Sequence, residues 1–227
     1  MMKKLKIAGI ELDNYTVREL SNRVSKLMSE KPLVIAQEVD MDVLMLAEED
    51  EVVRKALEAS DVTIISELGI LEAAVALTVS NIQRKHEISN HLQFNDMLKK
   101  TERNRKTVYI LGETAEQTEL VREFLEQEYT ELKIAGIGNL EDCNGESETI
   151  VNDINSATAD TIISLLSSPV REYFLLENKD KILAGLWYGV SGSNLSVQSK
   201  GLKHVINKYI KKRKLVKHIN NYEEKEE

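Results

Sequence analysis

The stretch SDVTIISELGILEAAVAL, Ser60 to Leu77, decides how the chain is read. Val62 to Ile65 is a short β-branched run, and such a run suits a strand buried on both faces. Ser66 and Glu67 follow, and a helical pattern begins at once. A strand passing directly into a helix is the unit of a parallel α/β sheet. Polar residues at the carboxyl end of that strand stand where this class of fold collects its ligands. Ser66 and Glu67 are therefore candidate catalytic residues. The alternative for Glu67 is a charge at a helix start, where the dipole favours carboxylates.

The same alternation extends in both directions. Leu33–Val39, Thr107–Leu111, Leu132–Ile137, Thr161–Leu166 and Leu183–Val190 read as further strands, most too uniformly apolar for a one-sided sheet. Lys6 to Leu12 reads as an edge strand or hairpin. The segments DVLMLAEEDEVVRKALEAS and TAEQTELVREFLEQEY place apolar residues at helical spacing. The second opens on Thr114 and Gln117, a capping-box pairing that starts a helix just after Gly112. The fold class expected is α/β, a parallel sheet with helices on both faces.

Composition narrows the classes. The 227 residues are 42% hydrophobic and 30% charged, as in a soluble globular protein. Cys143 is the single cysteine, which rules out an intrachain disulfide and suits an intracellular setting. No apolar run approaches the roughly 20 residues that span a bilayer. Glu11 and Asp13 interrupt the N-terminal apolar run too early for a signal peptide, so a cytoplasmic location is expected. The net charge of −8 is the balance of +9 on residues 181–222, −3 on the final EEKEE and −14 on residues 1–180. So acidic a body repels phosphates, and nucleic acid is not expected as its partner. The basic segment GLKHVINKYIKKRKLVKHINNY, with Lys203, Lys211, Lys212, Arg213 and Lys214, reads as an amphipathic helix suited to an anionic membrane surface. The alternative is a helix packed on the domain with a solvated basic face.

Several strand-end loops could carry chemistry. GVSGSNLS, from Gly189 through Gly192 and Ser193 to Ser196, offers backbone amides and hydroxyls that could cradle an anion, or forms a polar turn. In SSPVREYF, Arg171 could grip a phosphate while Glu172 orients it, or the two form a surface pair beside a proline-started helix. Glu38, Asp40, Asp42 and Glu67 could divide acid and base roles, but acids in first helical turns are common. There is no GxGxxG, no P-loop and no zinc-like cluster, and no cofactor or metal is expected.

The order of these loops resembles the WecG/TagA/CpsF family, glycosyltransferase family 26, from about Lys6 to about Lys200. LKIAGIELDNYTVREL is similar to the family's opening segment, and IAQEVDMDVLMLAEEDEVVRKALEASD to its TPN strand end and following helices. SELG, FNDML, ILG, PVRE and GVSGSNL stand for its DG.G, G.DL, LLG, P.QE and GVGG.FD segments. The resemblance implies a Rossmann-like domain in residues 1–200 and a basic C-terminal appendage in residues 201–227. It implies transfer of a hexosamine-type sugar from a UDP-sugar to a polyprenyl-diphosphate-linked acceptor, at the inner face of the cell membrane, for cell-surface polysaccharide.

The departures matter as much. The family's proposed base, the Asp of DG, falls on Ser66, and its Gly on Glu67. The TPN Thr and Asn fall on Ala36 and Glu38. Phe94 replaces the Gly of G.DL, while Asp96 remains. Arg171 replaces the Gln of P.QE, while Pro169 and Glu172 remain. Gly189, Val190 and Gly192 remain in the last loop, where Ser191 replaces a Gly and Asn194-Leu195 the Phe-Asp. A serine cannot serve as base without its own activator. The expectation is a divergent member with weak or absent transfer, acting as partner or scaffold of an active enzyme. The alternative is an active inverting transferase with Glu67 as substitute base, and a weaker third is a binding module without turnover. The substrate-binding candidates are Glu38, Asp96, Arg171, Glu172, Gly189, Gly192 and Ser193.

Overall fold

The first two strands form a hairpin. Lys4–Ile7 (β1) and Ile10–Asp13 (β2) pair antiparallel. Ala8 and Gly9 join them, both at positive φ (50° and 79°), the backbone that two-residue hairpin turns require. This is the hairpin expected for Lys6 to Leu12. The chain is described by a computed structural model over residues 4–75, 82–143 and 146–191. The predicted appendage, 201–227, lies outside the described residues, as do Gly192 and Ser193.

From β2 onward strands and helices alternate. Val17–Glu30 (α1) leads to Val34–Val39 (β3), then Met41–Glu49 (α2) and Glu51–Ala59 (α3) to Val62–Ile65 (β4). Leu68–Val75 (α4), Ile82–Ser89 (α5) and Leu92–Arg103 (α6) precede Thr107–Gly112 (β5). Ala115–Glu128 (α7), Lys133–Asn139 (β6), Ser147–Ala157 (α8), Thr161–Ser164 (β7), Val170–Asn178 (α9) and Leu186–Gly189 (β8) complete the order. The sheet runs β1-β2-β4-β3-β8-β7-β5-β6, and every pairing except β1–β2 is parallel. This is the mixed α/β, Rossmann-like class expected.

Both faces are covered. Leu20 and Leu27 of α1, Phe94 and Leu98 of α6, and Val121, Phe124 and Leu125 of α7 pack on one face, against Ala36, Ile110, Ile163 and Tyr188. On the other face α8 and α9 cover Ile35, Tyr109, Ile162 and Trp187. Helices α2 to α5 cover Leu12, Val39 and Ile65 near the hairpin edge. Strand side chains alternate between the two cores, which is why the runs read as continuously apolar.

Local chemistry sets the boundaries. Thr16 and Glu19 close a reciprocal capping box at α1. Asp61, just before β4, accepts from Ile35 N–H at 3.0 Å, and Asp160, just before β7, from Thr107 N–H at 2.9 Å. At α7, Gln117 N–H donates to Thr114 as expected, but the Gln117 carboxamide accepts from Glu113 N–H and donates to the Leu165 carbonyl. Of the run Leu183–Val190 only Leu186–Gly189 is strand. Gly185 and Leu186 N–H both donate to the Asp160 carbonyl, and Leu183 is 80% exposed. Residues 183–185 lead the chain into β8, and the Gly185 carbonyl already accepts from Val34 N–H of β3 at 3.0 Å.

The order reverses between β3 and β8. From β3 the chain steps to β4 on one side, and β8, its last described strand, returns to the other side. In open α/β sheets ligands gather outside the strand carboxyl ends at such a reversal.

Candidate functional site

At this reversal Glu38 is the central group. It is the fifth residue of β3 and is 2% exposed. Its Oε1 accepts from the Tyr188 hydroxyl at 2.9 Å, and its Oε2 accepts from Ser191 N–H at 3.0 Å. The carboxylate thus ties the end of β3 to the end of β8. Burial, and then the neighbouring Glu38 charge, hold the Tyr188 phenol well above its ordinary range, so it stays a donor.

Arg171 and Glu172 lie behind the same strand ends. They are 1% and 0% exposed, so the surface-pair alternative is overturned: this ion pair is buried. The Arg171 Nε donates to Glu172 Oε1 at 2.9 Å, and its Nη2 stands 2.7 Å from the same oxygen. Nη1 donates to the Val190 carbonyl at 2.8 Å, and Nη2 reaches the Glu38 carbonyl at 3.4 Å. Ser168 Oγ donates to Glu172 Oε2 at 2.7 Å. The guanidinium therefore joins the start of α9 to the ends of β8 and β3. Gly189 admits it, since a Cβ there would lie 3.0 Å from Arg171 Cδ.

Ser66 and Glu67 occupy the neighbouring strand end. The buried Ser66 hydroxyl donates to the Val39 carbonyl at 2.9 Å. Glu67, half-buried, accepts from Met41 N–H at 2.9 Å, the first amide of α2. It directly precedes α4, as the helix-start alternative expected, and its carboxylate also serves the start of α2, 26 residues earlier in the chain. Asp40 caps the same helix, accepting from Val43 N–H at 2.9 Å. Asp42 is exposed in its first turn.

Asp96 stands apart from this cluster. It lines a groove between α1 and α6, described below. A second buried polar cluster flanks the end of β2. Arg84 Nε donates to Asn14 Oδ1 at 3.1 Å, and its Nη1 donates to Glu87 Oε2 at 2.7 Å. Burial draws the guanidinium pKa down, and Glu87 opposes that shift.

The strand-end groups thus come from β3, β4, β8 and α9, in the loop order that the motifs suggested. The family model for glycosyl transferase WecG/TagA/CpsF matches residues 5–200. The chain belongs to this family. No curated protein matches it. Membership in the WecG/TagA/CpsF family carries a glycosyltransferase-type role in polysaccharide assembly, with a nucleotide-sugar donor and a polyprenyl-linked acceptor in active members. Among the described residues no helix is long and apolar enough to cross a membrane.

The partners of Glu38 and the Arg84 cluster were not foreseen from the sequence. Tyr188 carried a signal, because a tyrosine in a fully apolar strand must find a partner for its hydroxyl. Arg84 and Glu87 carried none, since an Arg–Glu pair three residues apart is ordinary on a solvated helix.

Proposed function

We propose that the chain serves polysaccharide assembly as a non-catalytic member of the WecG/TagA/CpsF family, a partner or scaffold for an active transferase. The observation that carries this reading is Ser66. It falls where the resemblance expects the base, and its hydroxyl donates to a backbone carbonyl. A general base must reach the proton it removes, and a serine needs an activator of its own. Glu38, Arg171 and Glu172 bind one another or the backbone at the ends of β3 and β8, which suits a fixed scaffold, while the buried Gln37 Oε1 and Ser164 Oγ have no partner among the described residues. The test is UDP release by purified protein supplied with UDP-N-acetylhexosamines and a polyprenyl-diphosphate-linked acceptor. No release is expected, together with co-purification of a protein partner. Robust release by the protein alone refutes the reading.

A second reading keeps transfer, with Glu67 as substitute base. It is favoured by the half-buried position of that carboxylate at a strand end, where one oxygen accepts from Met41 N–H. Under it, Glu67→Gln abolishes transfer and leaves UDP affinity nearly intact. Unchanged turnover in that variant removes Glu67 from the mechanism. Under either reading the basic arm supports contact with an anionic membrane, at the inner face of the cell membrane. Deleting residues 202–227 then weakens binding to anionic liposomes in a salt-dependent way. Equal binding by the shortened chain rejects the membrane role.

A further inference from the structure

Helices α1 and α6 lie side by side on the sheet without closing over it. Between them runs a groove of about 350 Å³. Leu20, Val24 and Met28 of α1, Met97 of α6, and Leu186 and Tyr188 of β8 make its lining mostly apolar. Two lysines line this groove, and Lys100 is the one without an acidic partner among the described residues. Lys100 reaches from α6 across to α1, donating to the Ser21 carbonyl at 3.1 Å, to Ser21 Oγ at 3.0 Å and to Ser25 Oγ. All three partners are neutral oxygens, and among the described residues no carboxylate pairs with this ammonium. The second lysine of the lining, Lys106, differs in being paired with Asp160 at 2.7 Å. The acid of the lining, Asp96, lies one helical turn before Lys100.

The geometry points to a binding site for a short single-chain amphiphile with one anionic head, the head on Lys100 and the chain along the apolar lining. An anionic oxygen adds the attraction of an opposite charge to a bond whose donor is already charged, which the neutral serine oxygens do not supply. The chain removes from water the apolar surface that the splayed helices leave open. The volume lies near the lower end of small-molecule sites, roughly 300–1,000 Å³. It suits a short tail and is far too small for a polyprenyl-linked acceptor. Tyr188 links the site to the strand ends, because it contributes to the groove's lining and its hydroxyl holds Glu38. The inference concerns binding alone and holds whether or not the chain transfers sugar.

The test is calorimetric titration of the full chain with dodecanoate, dodecyl phosphate and dodecanol, below their aggregation concentrations. The two anions distinguish a carboxylate from a phosphate head. Saturable one-to-one binding of at least one anion is expected, with dodecanol at least tenfold weaker. Lys100→Gln should erase that preference while the basic arm is still present. Val24→Trp, which fills the groove, should abolish binding, and a urea midpoint near that of the parent establishes that the variant is folded. Absence of saturable binding overturns the inference, as does equal anion preference in Lys100→Gln. Self-association that Val24→Trp removes, without amphiphile binding, overturns it as well and assigns the groove to a second copy of the chain.

Discussion

Replacing Arg171 by methionine probes the strand-end network most directly. The substitution keeps a long apolar stem over Gly189 but removes the guanidinium, leaving the Glu172 carboxylate 0% exposed with only Ser168 Oγ of its two side-chain donors. It also frees the Val190 carbonyl, which accepts from Arg171 at 2.8 Å. Removing one partner of a buried ion pair costs about 3–5 kcal/mol. For a chain of this size each kcal/mol moves the melting temperature by roughly 2–4 °C. Arg171→Met should therefore melt about 6–20 °C below the parent, and its urea midpoint should fall at unchanged slope. The double variant Arg171→Met/Glu172→Leu removes both charges and should recover more than half of the loss, because the isolated buried charge is then gone. The assay is urea unfolding followed by the single tryptophan, Trp187, which lies in the core beneath α9. A single variant within 1 kcal/mol of the parent, or a double variant no better than the single, would refute the reasoning.

Other perturbations have smaller, equally definite outcomes. Gly189→Ala places a methyl 3.0 Å from Arg171 Cδ and 3.2 Å from Gln37 Oε1. Arg171 is held by several bonds and cannot easily yield, so a loss of about 1–3 kcal/mol is expected in the same urea assay. Tyr188→Phe removes the 2.9 Å bond to a buried carboxylate and should cost about 1.5–3 kcal/mol; an unchanged midpoint would mean that Glu38 finds its donors elsewhere. His91 gives a pH signature. Burial depresses its imidazole from 6.5 to about 4. Between those values the unfolded chain binds the proton and the folded one does not, so stability is full above pH ~6.5 and falls as pH drops toward 4, by up to about 3 kcal/mol. His91→Asn, which tolerates the left-handed backbone at that residue (φ 49°), should flatten this part of the profile; an unchanged slope would remove His91 from the acid response.

The fold was largely legible because it rests on local periodicity. Val62–Ile65 is a strand in sequence and in structure, since a four-residue β-branched run between Asp61 and Ser66 has few alternatives. The hairpin, the sheet class and the start of α7 were legible for similar reasons. What failed was decided by partners distant in the chain. The spelling of Leu183–Val190 cannot reveal that pairing with β3 and β7 begins only at Gly185 and Leu186. The burial of Arg171 depends on Gly189 arriving beside it, 18 residues later. Nor does Glu67 announce in its own loop that it will accept from Met41 N–H. Charged residues are ordinarily exposed, so a buried pair has the local pattern of a surface one.

The exchange at Glu38 shows why these departures hang together. A carboxylate at a site nearly closed to water is costly unless donors meet it. Here the donors are the Tyr188 hydroxyl and Ser191 N–H, both from the end of β8. Once Glu38 binds them, the segment after β8 is anchored to β3. Arg171 holds the same segment through the Val190 carbonyl. Glu38 and Arg171, both expected as departures from the family pattern, thus hold Ser191 and Val190. Polar groups committed to such bonds are poorly placed to follow the charge changes of a reacting sugar, since each bond given to substrate must first be taken from the framework. Under the proposed non-catalytic role, Ser66 belongs to a strand-end region in which Glu38, Arg171 and Glu172 are already held by such bonds.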